Sequence, residues 1–191
     1  MLTLDDNHKY AFSGVPVQGF TEIIGDLGIT EPSRFYTEAG REEGIALHEW
    51  LLFLAQGQEP SAPPDERIAG RVEGIRKFLR ESKFSFQGGE EIMYHPGLVY
   101  ACKPDLWGLI NGRLSVIDAK RGAKQCFHVL QTAAQKLALA ANKIFCLDRF
   151  GLYLKDGDYR LEAHTDKTDE DRWKVIVAAY HAKRWYTKGG T

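Results

Sequence analysis

The dipeptide Asn111-Gly112 constrains this 191-residue chain more than any other feature. It separates two strands predicted over 98–110 and 113–120, and Asn-Gly suits the two positive-φ positions of a tight hairpin turn. A two-residue turn pairs Ile110 with Arg113, and that register carries Asp105 directly opposite Asp118. Opposed side chains in an antiparallel pair have Cβ atoms about 4.5–5.5 Å apart. Two carboxylates so placed, on strands rich in Leu, Val, Ile and Trp, repel unless something neutralises them. A divalent cation does so most directly, because hard cations take carboxylate oxygens.

Lys120 lies two residues beyond Asp118 and leaves the same face of the strand. Its ammonium is placed to orient an attacking water or help it lose a proton, by favouring the hydroxide, and to stabilise charge developing on a phosphate. A plain Asp–Lys ion pair on an exposed strand would explain Asp118 and Lys120 alone. It would not explain Asp105 facing them.

A third strand, over 84–95, joins the second through Pro96-Gly97, the pair a type II turn favours. A two-residue loop there sets His95 opposite Leu98 and Glu90 opposite Lys103, on the side of Asp105. Glu90 is then the third carboxylate. A one-residue bulge would exchange it for Glu91.

The remainder reads as an ordered α/β chain. Tyr10–Phe12 and Val15–Val17 flank a Ser13-Gly14 turn, and a short helix over 20–27 ends at Gly28. A helix is predicted over 42–56, then a loop, GQEPSAPP, over 57–64. Asp65 caps a helix running to Ser82, with Arg67, Arg71, Arg76, Lys77 and Arg80 on it. Such a stripe serves either as a solvated face or as a contact for DNA. An alanine-rich helix covers 127–142, a strand lies near 144–148, a hairpin turns at Asp156-Gly157, and a last helix covers 168–183. One domain over 1–191 is expected, with a hairpin-and-helix part at 1–64 and a sheet-containing core at 65–191.

The net charge of −1 hides a division. Residues 1–66 hold 3 Lys/Arg against 12 Asp/Glu, and residues 67–191 hold 22 against 14, a net +8 in the part carrying the proposed site. That favours a polyanionic partner bound in a salt-sensitive way. No apolar run is long enough for a membrane helix, and the first residues do not read as a secretory leader. Cys102, Cys126 and Cys146 make no C-x2-C pair, so reduced thiols in the cytoplasm are the simplest reading.

Pro104-Asp105 followed by Asp118-Ala119-Lys120 resembles the signature of the PD-(D/E)XK nuclease superfamily. The wider set is similar to the RecB-type and phage exonuclease branch and to the mitochondrial genome maintenance exonuclease. A helix with a G-x3-H motif precedes the strands in that branch, as Gly44 to His48 do here. Gln131 fits the glutamine on the helix after the lysine, and HKYAFSGVPVQGFTEII is similar to the lead-in of phage members. The resemblance covers about residues 8–142. Cys102-Lys103 and Gln135 depart from the common pattern, and three scattered cysteines cannot supply the four of the iron–sulfur subgroup.

The resemblance implies an α/β fold with a restriction-endonuclease-like core, a mixed central sheet flanked by helices. It implies one or two Mg2+ or Mn2+ ions held by His48, Glu90, Asp105, Asp118 and the carbonyl of Ala119. The implied reaction is hydrolysis of DNA phosphodiester bonds, leaving 5′-phosphates, with Asp105, Asp118, Lys120 and Gln131 catalytic. The implied partners are DNA with a free end, single- or double-stranded, and beyond it a second copy or a recombination, repair or replication protein. The implied setting is the cytoplasm of a bacterium or phage-infected cell.

Several of these residues have plainer readings. His48, beside Ile45, Leu51 and Leu52, also fits a core histidine. Gln131 fits helix packing as well as a hold on the lysine or a nucleotide. Arg121 and Lys124 fit phosphate contacts or a solvated loop, and Trp107 fits packing under the sheet. The expectation is a metal-dependent exodeoxyribonuclease. Its rivals are a structure-selective endonuclease of the same fold and an inactive nucleic-acid- or partner-binding module.

Overall fold

A computed structural model describes residues 1–5, 9–30 and 37–187. His8, where the lead-in segment starts, and residues 31–36, within the stretch expected to hold short helices, lie outside the described residues.

The elements run β1 (Leu2–Leu4), β2 (Tyr10–Phe12), β3 (Val15–Val17), α1 (Phe20–Asp26), α2 (Glu38–Ala55) and α3 (Glu66–Ser82). They continue with β4 (Ser85–Gly88), β5 (Met93–His95), β6 (Tyr100–Cys102), β7 (Leu106–Ile110) and β8 (Arg113–Lys120). The chain finishes with α4 (His128–Ala141), β9 (Asp148–Lys155), β10 (Asp158–Ala163) and α5 (Thr168–Thr187). The central sheet has the order β10-β9-β8-β7-β4, with β8 and β9 parallel and the other neighbours antiparallel. The fold is therefore α/β, a five-stranded mixed sheet flanked by helices. Among the described residues no helix is long and apolar enough to cross a membrane.

Strand β8 lies in the middle and is buried over most of its length. That suits a strand covered on both faces, whose sequence runs apolar instead of alternating. Helices α2 and α3 cover one face, where Leu47, Leu51, Ile75 and Phe78 meet Ile117, Ala119 and Leu152. Helix α4 covers the other face with α1 and α5, where Ala133, Ala134 and Ala138 pack with Trp107, Val116 and Trp173. The alanines let α4 lie close, and Tyr100 donates its hydroxyl proton to the Ala134 carbonyl at 2.6 Å. Trp107 is a core ring, as its apolar surroundings suggested. The α2–α3 core draws side chains from both sides of the 57–64 loop.

The Asn111-Gly112 turn forms as its chemistry requires, with φ of 51° and 76° and Ile110 paired with Arg113. Ser13-Gly14 turns in the same way, and it carries a third strand, β1, that the sequence did not suggest.

The two long strands expected before it are each broken. β5 and β6 leave the main sheet as a separate two-stranded ribbon, and residues 89–92 and 103–105 lie outside strands. Pro104 has no N–H to continue a ladder, Glu90 has a left-handed φ of 55°, and the β4–β7 register shifts between Phe86 and Gly88. The Pro96-Gly97 loop is also longer than two residues. His95 pairs with Tyr100, not Leu98. The loop closes through Val99, which has φ 54° and donates its N–H to the His95 carbonyl at 2.8 Å. The Leu98 N–H is taken by His95 Nδ1 at 3.1 Å.

Helix α2 begins at Glu38 instead of Glu42, because the Thr37 side chain accepts the Gly40 N–H at 3.1 Å and caps it. The strand expected near 144–148 starts only at Asp148, since the preceding residues still close α4 through the Ile144 N–H to the Leu139 carbonyl.

Two glycines distinguish packing from turn conformation. A Cβ on Gly108, in β7, would lie 2.3 Å from the Ser85 carbonyl oxygen, whereas one on Gly112 would meet nothing within 4 Å and only the cost of φ 76°. Gly112→Ala is expected to cost about 1 kcal/mol. Gly108→Ala is expected to cost about 3 kcal/mol or more, because β4 and β7 must separate. Urea unfolding of the two variants checks the order.

Candidate metal centre

The site forms where β7 begins and β8 ends. Asp105 precedes β7, and its Oδ2 accepts the Ala119 N–H at 2.6 Å, continuing the β7–β8 register with a side chain. Glu90 is brought alongside by its own N–H, which donates to the Pro104 carbonyl at 2.8 Å. Gly89 makes that approach feasible, since a Cβ there would lie 2.4 Å from the Asp105 carbonyl oxygen. From α2, His48 Nδ1 reaches 3.4 Å from Glu90 Oε1 and 3.6 Å from Asp105 Oδ1. One ligand atom from each of His48, Glu90 and Asp105 lies within 4.8 Å of the others. Of the two candidate glutamates, it is Glu90 that joins this group and pairs with Lys103, while Glu91 is exposed.

Asp118 is fully buried and stands just outside that trio. Its Oδ2 lies 2.6 Å from Lys120 Nζ, and its Oδ1 accepts from Gln135 Nε2 at 2.9 Å. The side chain that meets Asp118 is thus Gln135, one helical turn beyond Gln131, the glutamine expected near the lysine or a nucleotide. Both glutamines lie on one side of α4, but Gln135 faces the sheet among Thr132, Ala138 and Leu139, all buried. A polar residue inside such a patch needs a buried partner, and that signal was available in the sequence.

The electrostatics follow from burial of like charges. The Asp105 charge, followed by that of Glu90, lifts the His48 imidazole well above its usual value against the opposing effect of burial. Burial raises the carboxyl of Asp105, and Asp118 adds to this while His48 opposes it. An imidazolium therefore offsets part of the carboxylate charge. Glu90 Oε1 and Asp118 Oδ2 are buried oxygens met by ion pairs, with His48 at 3.4 Å and Lys120 at 2.6 Å, and by no hydrogen bond of good geometry. Two carboxylates and an imidazole converging on one point could hold a metal ion by donor chemistry.

Arg121 and Lys124, expected as phosphate contacts, are held in ion pairs. Arg121 Nη1 donates to Glu43 Oε2 at 2.8 Å, and Lys124 pairs with Glu162. A shallow cleft between α2 and the end of β8 is lined by Gly44, His48, Ala119, Lys120 and Arg121. On the other side of β8, His128 Nδ1 accepts the Gln125 N–H at 3.2 Å and meets the Tyr153 hydroxyl at 3.1 Å.

No protein-family model and no curated protein matches this chain. Its fold is similar to the crystal structure of a protein from Eubacterium rectale named "Putative exonuclease". The two are 15% identical with a TM-score of 0.55, over 94% of this chain and 79% of that one. At that identity the likeness is one of fold.

His128 supplies a pH test of the packing behind the site. Burial, with Lys120 adding to it, lowers its imidazole to about 4. A group depressed in the folded state binds its proton first in the unfolded chain. Stability is therefore expected to fall as pH drops from about 6.5 toward 4, by on the order of 2–3 kcal/mol from this residue. Denaturant unfolding across that range should show a shallower loss for His128→Gln than for the wild type.

Proposed function

We propose that this chain is a divalent-cation-dependent phosphodiesterase acting on DNA, an exonuclease leaving 5′-phosphates, with residues 1–191 forming a single nuclease domain. The observation that carries the reading is the grouping of His48, Glu90 and Asp105 at the end of β8, next to the Asp118–Lys120 pair. The likeness in fold to a protein named an exonuclease supports it. The basic character of residues 67–191 suits a polyanionic substrate.

Each residue has a distinct task in this account. His48, Glu90, Asp105 and Asp118, with the Ala119 carbonyl, would hold one or two Mg2+ or Mn2+ ions. A bound cation would supply Lewis-acid stabilisation of phosphate charge and make water a better nucleophile at neutral pH. Lys120 Nζ, anchored 2.6 Å from Asp118, orients the attacking water and places positive charge where the phosphate gains negative charge. Gln135 holds the Asp118 carboxylate by one oxygen, leaving the other turned to Lys120. The Asp105–Ala119 bond locks the two strand ends together, which keeps the carboxylates in register. Arg121 and Lys124 contact the substrate backbone once their carboxylate partners are exchanged for phosphate.

Two outcomes are expected. End-labelled linear DNA is degraded with Mg2+ or Mn2+ and not with EDTA, closed circular DNA resists, and Lys120→Ala lowers the rate by at least about a hundredfold. Nicked circles would make the enzyme an endonuclease. Absence of any cation-dependent cleavage sensitive to Lys120→Ala, on DNA or RNA, would remove the enzymatic reading. In the same assay Gln135→Ala is expected to slow cleavage about tenfold or more, and Gln131→Ala less. The reverse order would place the functional glutamine where the sequence resemblance put it.

A further inference from the structure

Beyond the acidic group, the α4-side face of the sheet carries a second ordered arrangement. Parallel pairing sets Lys120 beside Tyr153, and antiparallel pairing sets Tyr153 beside Arg160. Register partners project to the same face, so these three side chains form one row across β8, β9 and β10. The same registers make a second row of Asp118, Gly151 and Glu162. Gly151 leaves room in that row for its neighbours: a Cβ there would lie 2.9 Å from the Tyr153 ring and 3.1 Å from the His164 imidazole.

The outer row is built, not incidental. The Arg160 guanidinium lies 4.7 Å over the centre of the Tyr153 ring. Tyr153 is itself pinned. His128 Nδ1 accepts the Gln125 N–H, so it is unprotonated and the Tyr153 hydroxyl donates to it. A guanidinium held over a fixed ring has its position set while its N–H donors remain able to take a phosphate. Its carboxylate neighbour is loose. Arg160 Nη2 stands 3.5 Å from Glu162 Oε2, and Glu162 also pairs with Lys124. Two half-exposed cations therefore share one carboxylate. With strands about 4.8 Å apart, Lys120 and Arg160 are separated by about 10 Å, on the order of three nucleotides of rise along one strand.

We propose that Arg160 and Lys124 form a backbone-phosphate subsite beside the cleavage site, in which Glu162 holds both cations until a substrate phosphate displaces it. The strand would then run from Lys120 across Tyr153 toward the β10 edge. This subsite rests on the nucleic-acid reading of the adjacent acidic group.

The test is equilibrium binding of fluorescent 20-nucleotide probes in EDTA, which prevents cleavage, followed by polarisation across a range of NaCl. Single-stranded DNA, duplex DNA and RNA probes separate the sources of the backbone. Arg160→Ala is expected to weaken binding about three- to tenfold at low salt and to reduce the slope of log K against log salt by about 0.7–0.9, one phosphate contact. Glu162→Gln is expected to tighten binding several-fold. Arg160→Lys keeps the slope while losing part of the affinity, which separates charge from stacking. Lys174→Ala, on α5 and paired with Asp171, serves as the control and should match the wild type. Circular dichroism melting confirms that each variant is folded. Unchanged affinity and slope in both Arg160→Ala and Glu162→Gln would overturn the subsite, as would a folded wild type that binds none of the probes. Cleavage persisting with those unchanged slopes would leave the nuclease reading intact while the subsite fell. Altered slopes without any cleavage in Mg2+ or Mn2+ would support the subsite and remove only the nuclease reading.

Discussion

The structure turns on the bond between the Asp105 carboxylate and the Ala119 N–H. At 2.6 Å it continues the β7–β8 ladder after Pro104 has removed one backbone donor. That bond brings a buried carboxylate into the field of the fully buried Asp118. Burial of like charges is costly unless each is compensated. The surrounding residues supply the compensation: His48 from α2, Lys120 from β8, the Gln135 amide from α4 and Lys103 on Glu90. Three elements and the 103–105 segment thus converge on one point because two aspartates and Glu90 are held there. Such a concentration of negative charge suits a cation better than it suits stability.

Much of this was legible in the chain. Asn111-Gly112 admits one tight turn, and the side-chain period of two then dictates what faces what, so the Leu106–Ile117 pair and the approach of Asp105 to the end of β8 could be read by counting. The helices carrying His48 and the two glutamines could be read from their apolar spacing. What could not be read had non-local causes. The long strands break because Pro104 and the left-handed Glu90 interrupt pairing, and the ribbon of β5 and β6 then follows its own register. Pro96-Gly97 suggested a two-residue loop, yet His95 captures two N–H groups and lengthens it to four. The choice between Gln131 and Gln135 depends on how α4 is rotated against the sheet. Periodicity places both on one side and does not decide which meets Asp118.

The charge division along the chain gains a spatial meaning from the sheet registers. Part of the cationic excess after residue 66 is held in ion pairs. Arg71 and Arg121 share Glu43, Arg76 pairs with Glu59, and Lys124 and Arg160 share Glu162. Each arrangement is a surface or partly buried pair that contributes little to stability on its own. A chain whose average charge is near zero can therefore carry local cationic positions alongside a buried acidic group.

The central claim is that the acidic group holds a divalent cation, and direct Mn2+ binding tests it independently of any substrate. Electron paramagnetic resonance of free Mn2+, titrated into the protein, reports occupancy by loss of the aqueous signal. The wild type is predicted to bind one or two equivalents, and both Asp105→Asn and His48→Gln are predicted to weaken binding by at least about tenfold. Binding that is absent in the wild type, or unchanged in a folded Asp105→Asn variant, would contradict the account.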